Sequence, residues 1–533
     1  MDKRLTLERL ADRFPPHRAK KICLALMVIT SLVGAVIQIS NVQAARYLNI
    51  DSTCQAFTQV NDSAFGLGGG ADSTYSSEEG FEIVVFNDQL YLGMEADNSF
   101  GARIWRTKAG VVQPASQADW EEVAEDANGY PFGISNIAQN DHIDSLAVFN
   151  GYLYASTANG GTSKHGTRIF RSPTGAANSW EDAIEAYGAG FGDIYNTNFK
   201  DMQVFQGYLC GGTQNWNVGT QLWCTSDGTT WTQKNISGFG SSFYDNRTVE
   251  VWSGFVYNDA LYFGVQNLGA LRSDISDDVA KVFRTFDLDG TPTWREVFSG
   301  TAGSYRADIL GELDGYIYIS TRSSGGIAIF RSSSGDAGTW TQVNVSGMDG
   351  DVNNLYSVVD NAVLYDNILY VAVVNSVEGL ELWRTSGELV DESHVDWEMV
   401  GSNGLGNPQN SHAQLITFND NLYAWTSNYS SGQEVLYTTC RAQQSAATDT
   451  PQPTITNTLP PALDLTETPL PSNTPMPTEG VGEIPATETP APTPTIPPSE
   501  TQSPIICTDN LEDCAVQGFY YYVTFLPIVV SVP

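Results

Sequence analysis

Basic residues are scarce in this chain: 26 Lys and Arg stand against 61 Asp and Glu, a formal net charge of -35 over 533 residues. Seven of the basic residues fall within residues 1–44 beside three acidic ones, so the acidic excess lies wholly beyond that point. A body of that sign repels nucleic acid and anionic lipid, which removes both from the expected partners. Histidine is scarcer still. Beyond residue 44 only His142, His165, His394 and His412 remain, each standing alone, and no Cys-x-x-Cys occurs. No metal site and no cofactor are therefore expected. Lacking too is a coherent set of a tyrosine nucleophile, an acidic helper and non-repeated arginines, so no catalytic residue is assigned.

The start of the chain reads as targeting rather than fold. Lys3, Arg4, Arg9, Arg13, Arg18, Lys20 and Lys21 precede an uncharged apolar run from Ile22 to Ile39, and Val42-Gln43-Ala44 offers small residues for cleavage. Residues 1–44 are a signal peptide or a retained signal anchor, with possible membrane anchoring by residues 22–39. Either way the remainder is expected outside the cell, secreted or attached to its surface. Seven cysteines fit that setting, six of them beyond Cys23.

Between them lies a repeat. Its second segment aligns as Leu90-Tyr91, Leu153-Tyr154, Leu209-Cys210, Leu261-Tyr262, Ile317-Tyr318, Leu369-Tyr370 and Leu422-Tyr423, at intervals of 63, 56, 52, 56, 52 and 53 residues. A short Asn, Asp, Gln or Gly turn precedes each, as in Asn87-Asp88 and Asn150-Gly151, suited to the positive φ of tight hairpins. A third segment ends on Trp105-Arg106, Phe170-Arg171, Trp223-Cys224, Phe283-Arg284, Phe330-Arg331, Trp383-Arg384 and Leu436-Tyr437, and a fourth opens on Trp120, Trp180, Trp231, Trp294, Trp340 and Trp397. Four-strand repeats of about 50 residues are the sign of a β-propeller. Seven copies hold the first three segments and six hold the fourth. The missing strand is supplied from the other end, because Phe57 to Gly66 matches Trp231 to Gly240 nearly residue for residue. The fold class expected is all-β: a seven-bladed β-propeller over 45–443, closed by an N-terminal strand. A Thr/Pro/Ser-rich disordered linker follows at 444–505, then a short Cys-framed apolar tail at 506–533.

At Ser226-Asp227-Gly228-Thr229-Thr230-Trp231 the chain resembles bacterial secreted propellers of the broad kelch and Asp-box kind, over roughly residues 46–443. The motif is one residue short of a full Asp-box, a turn found in sialidases and in many non-enzymatic propellers. The resemblance implies architecture more than activity. The Arg repeated after the third-segment aromatic is read as structural, and Asp287-Leu288-Asp289-Gly290 and Asp349-Gly350-Asp351 as turns rather than calcium loops.

Cys210 and Cys224 replace the Tyr and Arg of other repeats in the same repeat, so they are expected to face each other across adjacent strands and bond. Cys54 and Cys440 fall where a covalent turn is missing in the closing blade and are expected to clasp the ring. Cys507 and Cys514 frame a small loop and are assigned as the remaining partners. Loops between segments two and three, and those entering each first segment, share one face. Trp216, Tyr244, Arg247, Tyr305 and His412 on those loops are the candidate ligand-binding residues. The reading is a binding or adhesion module for a glycan or protein ligand; the alternative is a carbohydrate-active enzyme, a glycoside hydrolase or lyase, sialidase-like, using the same face.

Overall fold

The structure is a computed structural model that describes residues 57–67, 79–95, 101–128, 130–133, 140–159, 165–241, 247–268, 278–323, 325–357 and 361–438. Cys54, Cys440, Cys507, Cys514, Tyr244, the apolar run 22–39 and the linker and tail lie outside them. No helix among the described residues is long and apolar enough to cross a membrane.

Nearly everything described is strand. The short strand β1 (Thr58–Gln59) comes first. Four-strand antiparallel meanders follow: β2 (Gly80–Phe86), β3 (Gln89–Met94), β4 (Arg103–Thr107) and β5 (Trp120–Glu122); then β6 (His142–Phe149), β7 (Tyr152–Ala158), β8 (Ile169–Ser172) and β9 (Glu181–Asp182). Next come β10 (Asn198–Phe205), β11 (Tyr208–Gln214), β12 (Leu222–Thr225) and β13 (Trp231–Gln233), joined at Gln214↔Glu250 to β14 (Arg247–Tyr257), β15 (Ala260–Leu268), β16 (Val279–Thr285) and β17 (Arg295–Ser299). The series continues with β18 (Ala307–Leu313), β19 (Tyr316–Thr321), β20 (Ala328–Ser332) and β21 (Thr341–Gln342). After it β22 (Asn354–Tyr356) and β23 (Ala362–Tyr365) share the first position before β24 (Ile368–Asn375), β25 (Gly379–Thr385) and β26 (Glu398–Gly401). The last sheet holds β27 (His412–Phe418), β28 (Asn421–Ser427) and β29 (Val435–Thr438), with β1 as its outer strand. First strands pack on first strands in the succession β2, β6, β10, β14, β18, β23, β27 and back to β2. The sheets thus form a closed ring, a β-propeller, with the first strands innermost.

Local chemistry explains the meanders. Every hairpin between first and second strands turns on two residues of positive φ, such as Asn87 (49°) and Asp88 (60°), or Gln206 (50°) and Gly207 (78°). That is the backbone whose twist matches paired strands. Neighbouring sheets are tied by the tryptophans, whose indoles donate to the preceding sheet's outer strand or the residues just after it. Trp180 reaches Val123 O at 2.8 Å, Trp231 Ala183 O at 3.1 Å and Trp340 Val297 O at 2.9 Å. Trp120 donates to Val60 O at 2.9 Å, so the N-terminal segment fills the same place beside the first meander. The Asn-x-Ser sequons at Asn61, Asn235 and Asn344 are brackets: each Oδ1 accepts a third-strand N–H, from Val435, Leu222 and Ile329 at 2.7 Å.

The repeated Arg is structural, as its position suggests. Arg106, Arg284 and Arg331 each donate to the second-strand tyrosine hydroxyl of their own sheet and to a carbonyl of the next. Where that tyrosine presses on the next sheet a glycine sits: a Cβ on Gly228 would come within 2.0 Å of Tyr154 Oη, and one on Gly175 within 2.3 Å of Tyr91 Oη. Cys210 and Cys224 stand opposite each other in register and form a disulfide. With the Tyr and Arg gone, Leu288 takes the glycine's place and packs into the same cluster. Ser replacement of both cysteines, separated by 14 residues, is expected to cost about 3 kcal/mol in urea unfolding, from the lost loop constraint alone. The suspected calcium loops are turns: Asp287 Oδ1 accepts Asp289 N, and Asp351 Oδ1 accepts Asn353 N.

Candidate functional site

Two kinds of polar residue interrupt the innermost strands, and their hydrogen bonds tell them apart. The residue five places before each of four hairpin turns stitches its strand to the next. Leu146 N donates to Glu82 Oε2 at 3.4 Å, Met202 N to Ser145 Oγ at 2.9 Å, Gly254 N to Asp201 Oδ2, and Ile309 N to Ser253 Oγ at 2.7 Å. These hold the ring together. Six places before their turns stand Asp144, Lys200, Trp252 and Asp308, on β6, β10, β14 and β18. Their partners lie along the inner surface instead.

Lys200 Nζ pairs with Glu250 Oε1 at 2.9 Å and lies 3.8 Å from the Trp252 ring centroid. Burial opposes its charge, but Glu250 and Asp144 outweigh that and hold the ammonium above its ordinary value. Arg306 packs on Trp252 at 4.1 Å and on Tyr356 at 5.0 Å, and its Nε donates to Asp308 Oδ2 at 3.1 Å. Arg322 lies over Tyr356 at 4.7 Å and Tyr305 at 5.4 Å, and makes no ion pair among the described residues. Cations and aromatic rings thus alternate across four neighbouring sheets.

The carboxylates are less well served. Asp144 is 4% exposed, and neither of its oxygens has a hydrogen-bond partner among the described residues. Burial pushes its carboxyl up to about 6, against the pull of Lys200 and His142. Asp308 is 1% exposed and its Oδ1 is likewise unpartnered; burial raises it, Arg306 opposing. Such groups are costly inside a fold. Beside Asp144, at the start of β6, His142 faces Glu95 at 3.4 Å and Asp141 at 3.1 Å. Burial disfavours its charge, yet Glu95, Asp141 and Glu79 together push it up to about 10.

Of the residues named from sequence, the structure brings Tyr305 and His412 to this arc. Burial, with Glu250 adding, pushes the Tyr305 hydroxyl up to about 12. His412 opens β27 and is pushed down to about 3, by burial and then by Arg306. Trp216 lies in the turn after β11, and Arg247 opens β14. Arg247 is 6% exposed and donates to Asn217 O at 3.0 Å, so it braces the Trp216 loop. Sequence reasoning missed Asp144, Lys200, Glu250, Trp252, Arg306, Asp308, Arg322 and Tyr356. The available signal was a charge inside runs otherwise apolar, as in Ile143-Asp144-Ser145-Leu146.

The fold and site define a β-propeller with acidic, basic and aromatic side chains on its innermost strands. No protein-family model matches the chain, and no curated protein does. Among solved structures it is similar to a Trypanosoma rangeli sialidase in complex with the inhibitor DANA (TM-score 0.38, 13% identity), over 72% of this chain and 58% of that one. A Penicillium chrysogenum alpha-L-arabinanase complexed with arabinobiose gives a TM-score of 0.37 at 12% identity, over 72% and 98%. A Mycobacterium tuberculosis puromycin-hydrolyzing peptidase gives 0.42 at 11%, over 68% and 51%. The chain spans little more than half the length of that sialidase. Likenesses this weak decide neither fold nor chemistry.

Proposed function

We propose that the chain is a seven-bladed propeller acting outside the cell as a carbohydrate-active enzyme, a glycoside hydrolase, with the loop-rich face as the entrance to its inner strands. This replaces adhesion as the main reading. One observation carries it: Asp144, buried with no hydrogen-bond partner among the described residues, on an innermost strand next to that of the Lys200–Glu250 pair, with a second buried carboxylate, Asp308, on another innermost strand and one of its oxygens likewise without a partner there. A glycosidic bond is cleaved by two carboxyl groups, one protonated and one ionised, flanking the leaving oxygen. Asp144 takes the role of the acid, since burial favours its protonated form. Asp308, steadied by Arg306, takes that of base or nucleophile. Trp252, Tyr305 and Tyr356 supply ring faces for a sugar, and Arg322 a cation without a carboxylate of its own. The Thr/Pro/Ser-rich stretch at 444–505 would serve as a spacer.

The test is release of reducing ends by the purified chain from a panel of neutral and acidic oligosaccharides. Turnover lost in both Asp144→Asn and Asp308→Asn supports the reading. Saturable glycan binding with no turnover of any substrate would return the protein to the class of binding modules. The anomeric form of the first product would then show whether Asp308 acts as base or nucleophile.

A further inference from the structure

We infer that Glu79, Glu95 and His142 form a binding site for a single divalent cation at the rim of the ring. The ligand atoms these three offer all lie within 4.8 Å of one another. Glu79 immediately precedes β2, Glu95 immediately follows β3, and His142 opens β6, so two neighbouring sheets contribute at the same end of the inner strands. That end is the one opposite the Asn87-Asp88 hairpin, and so belongs to the loop-rich face.

The site is built rather than incidental. Asp141 is 7% exposed and its Oδ1 lies at ion-pair distance, 3.1 Å, from Nδ1 of the imidazole, while Nε2 faces Glu95 Oε1 at 3.4 Å. A histidine that binds metal through one nitrogen commonly gives the other N–H to a carboxylate, which fixes the tautomer and aims the ring. Phe81 adds a second clamp, meeting the His142 ring edge-on with centroids 4.8 Å apart. Glu79 is 5% exposed and its backbone is fixed on both sides: its carbonyl accepts Glu95 N at 3.0 Å and Gln433 Nε2 at 3.0 Å. A cation with bonds of about 2.0–2.4 Å places neighbouring ligands roughly 3.0–3.4 Å apart, the separation already present between His142 and Glu95. One imidazole with carboxylates suits zinc or manganese, and a calcium ion would use the carboxylates with less need of the ring. The inference does not depend on the chain being an enzyme.

The experiment uses the full chain, stripped with chelator and titrated calorimetrically with Zn2+, Mn2+ or Ca2+ alone. One of the three is expected to bind at one ion per chain, with a matching rise in melting temperature. His142→Ala is expected to weaken zinc or manganese binding at least tenfold, and Asp141→Asn to weaken it about 10-fold or more. A Glu79→Gln/Glu95→Gln double variant should abolish it. His142→Gln, checked for an unchanged melt in chelator, replaces His142→Ala if that variant fails to fold. The inference is overturned if none of the three ions binds saturably below about millimolar concentration, or if the double variant binds as the parent does. Because no substrate is involved, either result leaves the glycosidase reading to stand or fall on its own assay.

Discussion

Asp144→Asn is expected to stop glycoside turnover and, at the same time, to raise the melting temperature near pH 8. The two effects share one cause. A buried carboxyl with no hydrogen-bond partner is a burden on the fold. Losing a general acid costs about 10²–10⁴-fold in rate. The stability effect follows from proton linkage. The folded-state value, about 6, lies above the ordinary carboxyl value, so between the two the folded chain holds more protons than the unfolded one. Stability therefore falls as pH rises through that window and stays low above it. The neutral amide escapes the penalty, so in chelator the variant should gain on the order of 3 kcal/mol at pH 8 and little at pH 4. Activity of the parent should decline as pH rises through 6, because the acid form is then lost. A variant that is inactive and also less stable at pH 8 would show Asp144 to be part of the packing, and the acid role would fail.

The repeat was legible because its marks are periodic. Turn pairs such as Asn258-Asp259, the Leu-Tyr of each second strand and the tryptophans recur in step, and each has a local physical cause: positive φ, burial or an indole bond to the neighbouring sheet. The Cys210–Cys224 bond was legible for the same reason, since a departure from a repeat points to the two positions that changed together. The inner-strand site carries no such periodicity. Bulges break the alternation of β6, β10, β14 and β18, so the side toward which Asp144 or Trp252 points cannot be counted from the turn. Hydrogen bonding, absent from sequence, is what separates the stitching Ser145 from Asp144 beside it. Loop position misled in the opposite sense. Arg247 begins a strand after a variable loop, is buried, and donates from Nη1 to the Asn217 carbonyl, which position in the loop alone does not show. His142 was dismissed as solitary because Glu79 and Glu95 reach it from another sheet.

Phe65→Ala is the change expected to open the ring. Phe65 follows β1, is 5% exposed, stacks on Trp105 at 4.4 Å with planes 7° apart, and meets Trp120 and Trp425. Its φ of 52° is unfavourable for a residue with a side chain, and that strain is held by the burial of the ring. The same device recurs at Phe239, with φ 54° and stacked on Phe283 at 4.0 Å. Removing either ring should cost about 3–5 kcal/mol, with the smaller value at Phe239, which is less buried. Their consequences differ because of chain connectivity. Around Phe239 the strands on both sides follow one another along the chain. Phe65 instead fixes a segment that is not continuous in the chain with the last sheet and reaches it through Thr58↔Tyr437, Gln59↔Leu436, Val60 N to Val435 O at 2.9 Å, Val435 N to Asn61 Oδ1 at 2.7 Å and Ala64 N to Gln433 O at 2.9 Å. Limited proteolysis at 25 °C should therefore cleave Phe65→Ala early on the N-terminal side of Gly80, leaving the remainder resistant. Phe239→Ala should melt lower as a whole without that early cut. Equal resistance of the N-terminal segment in both variants would show that β1 does not close the ring.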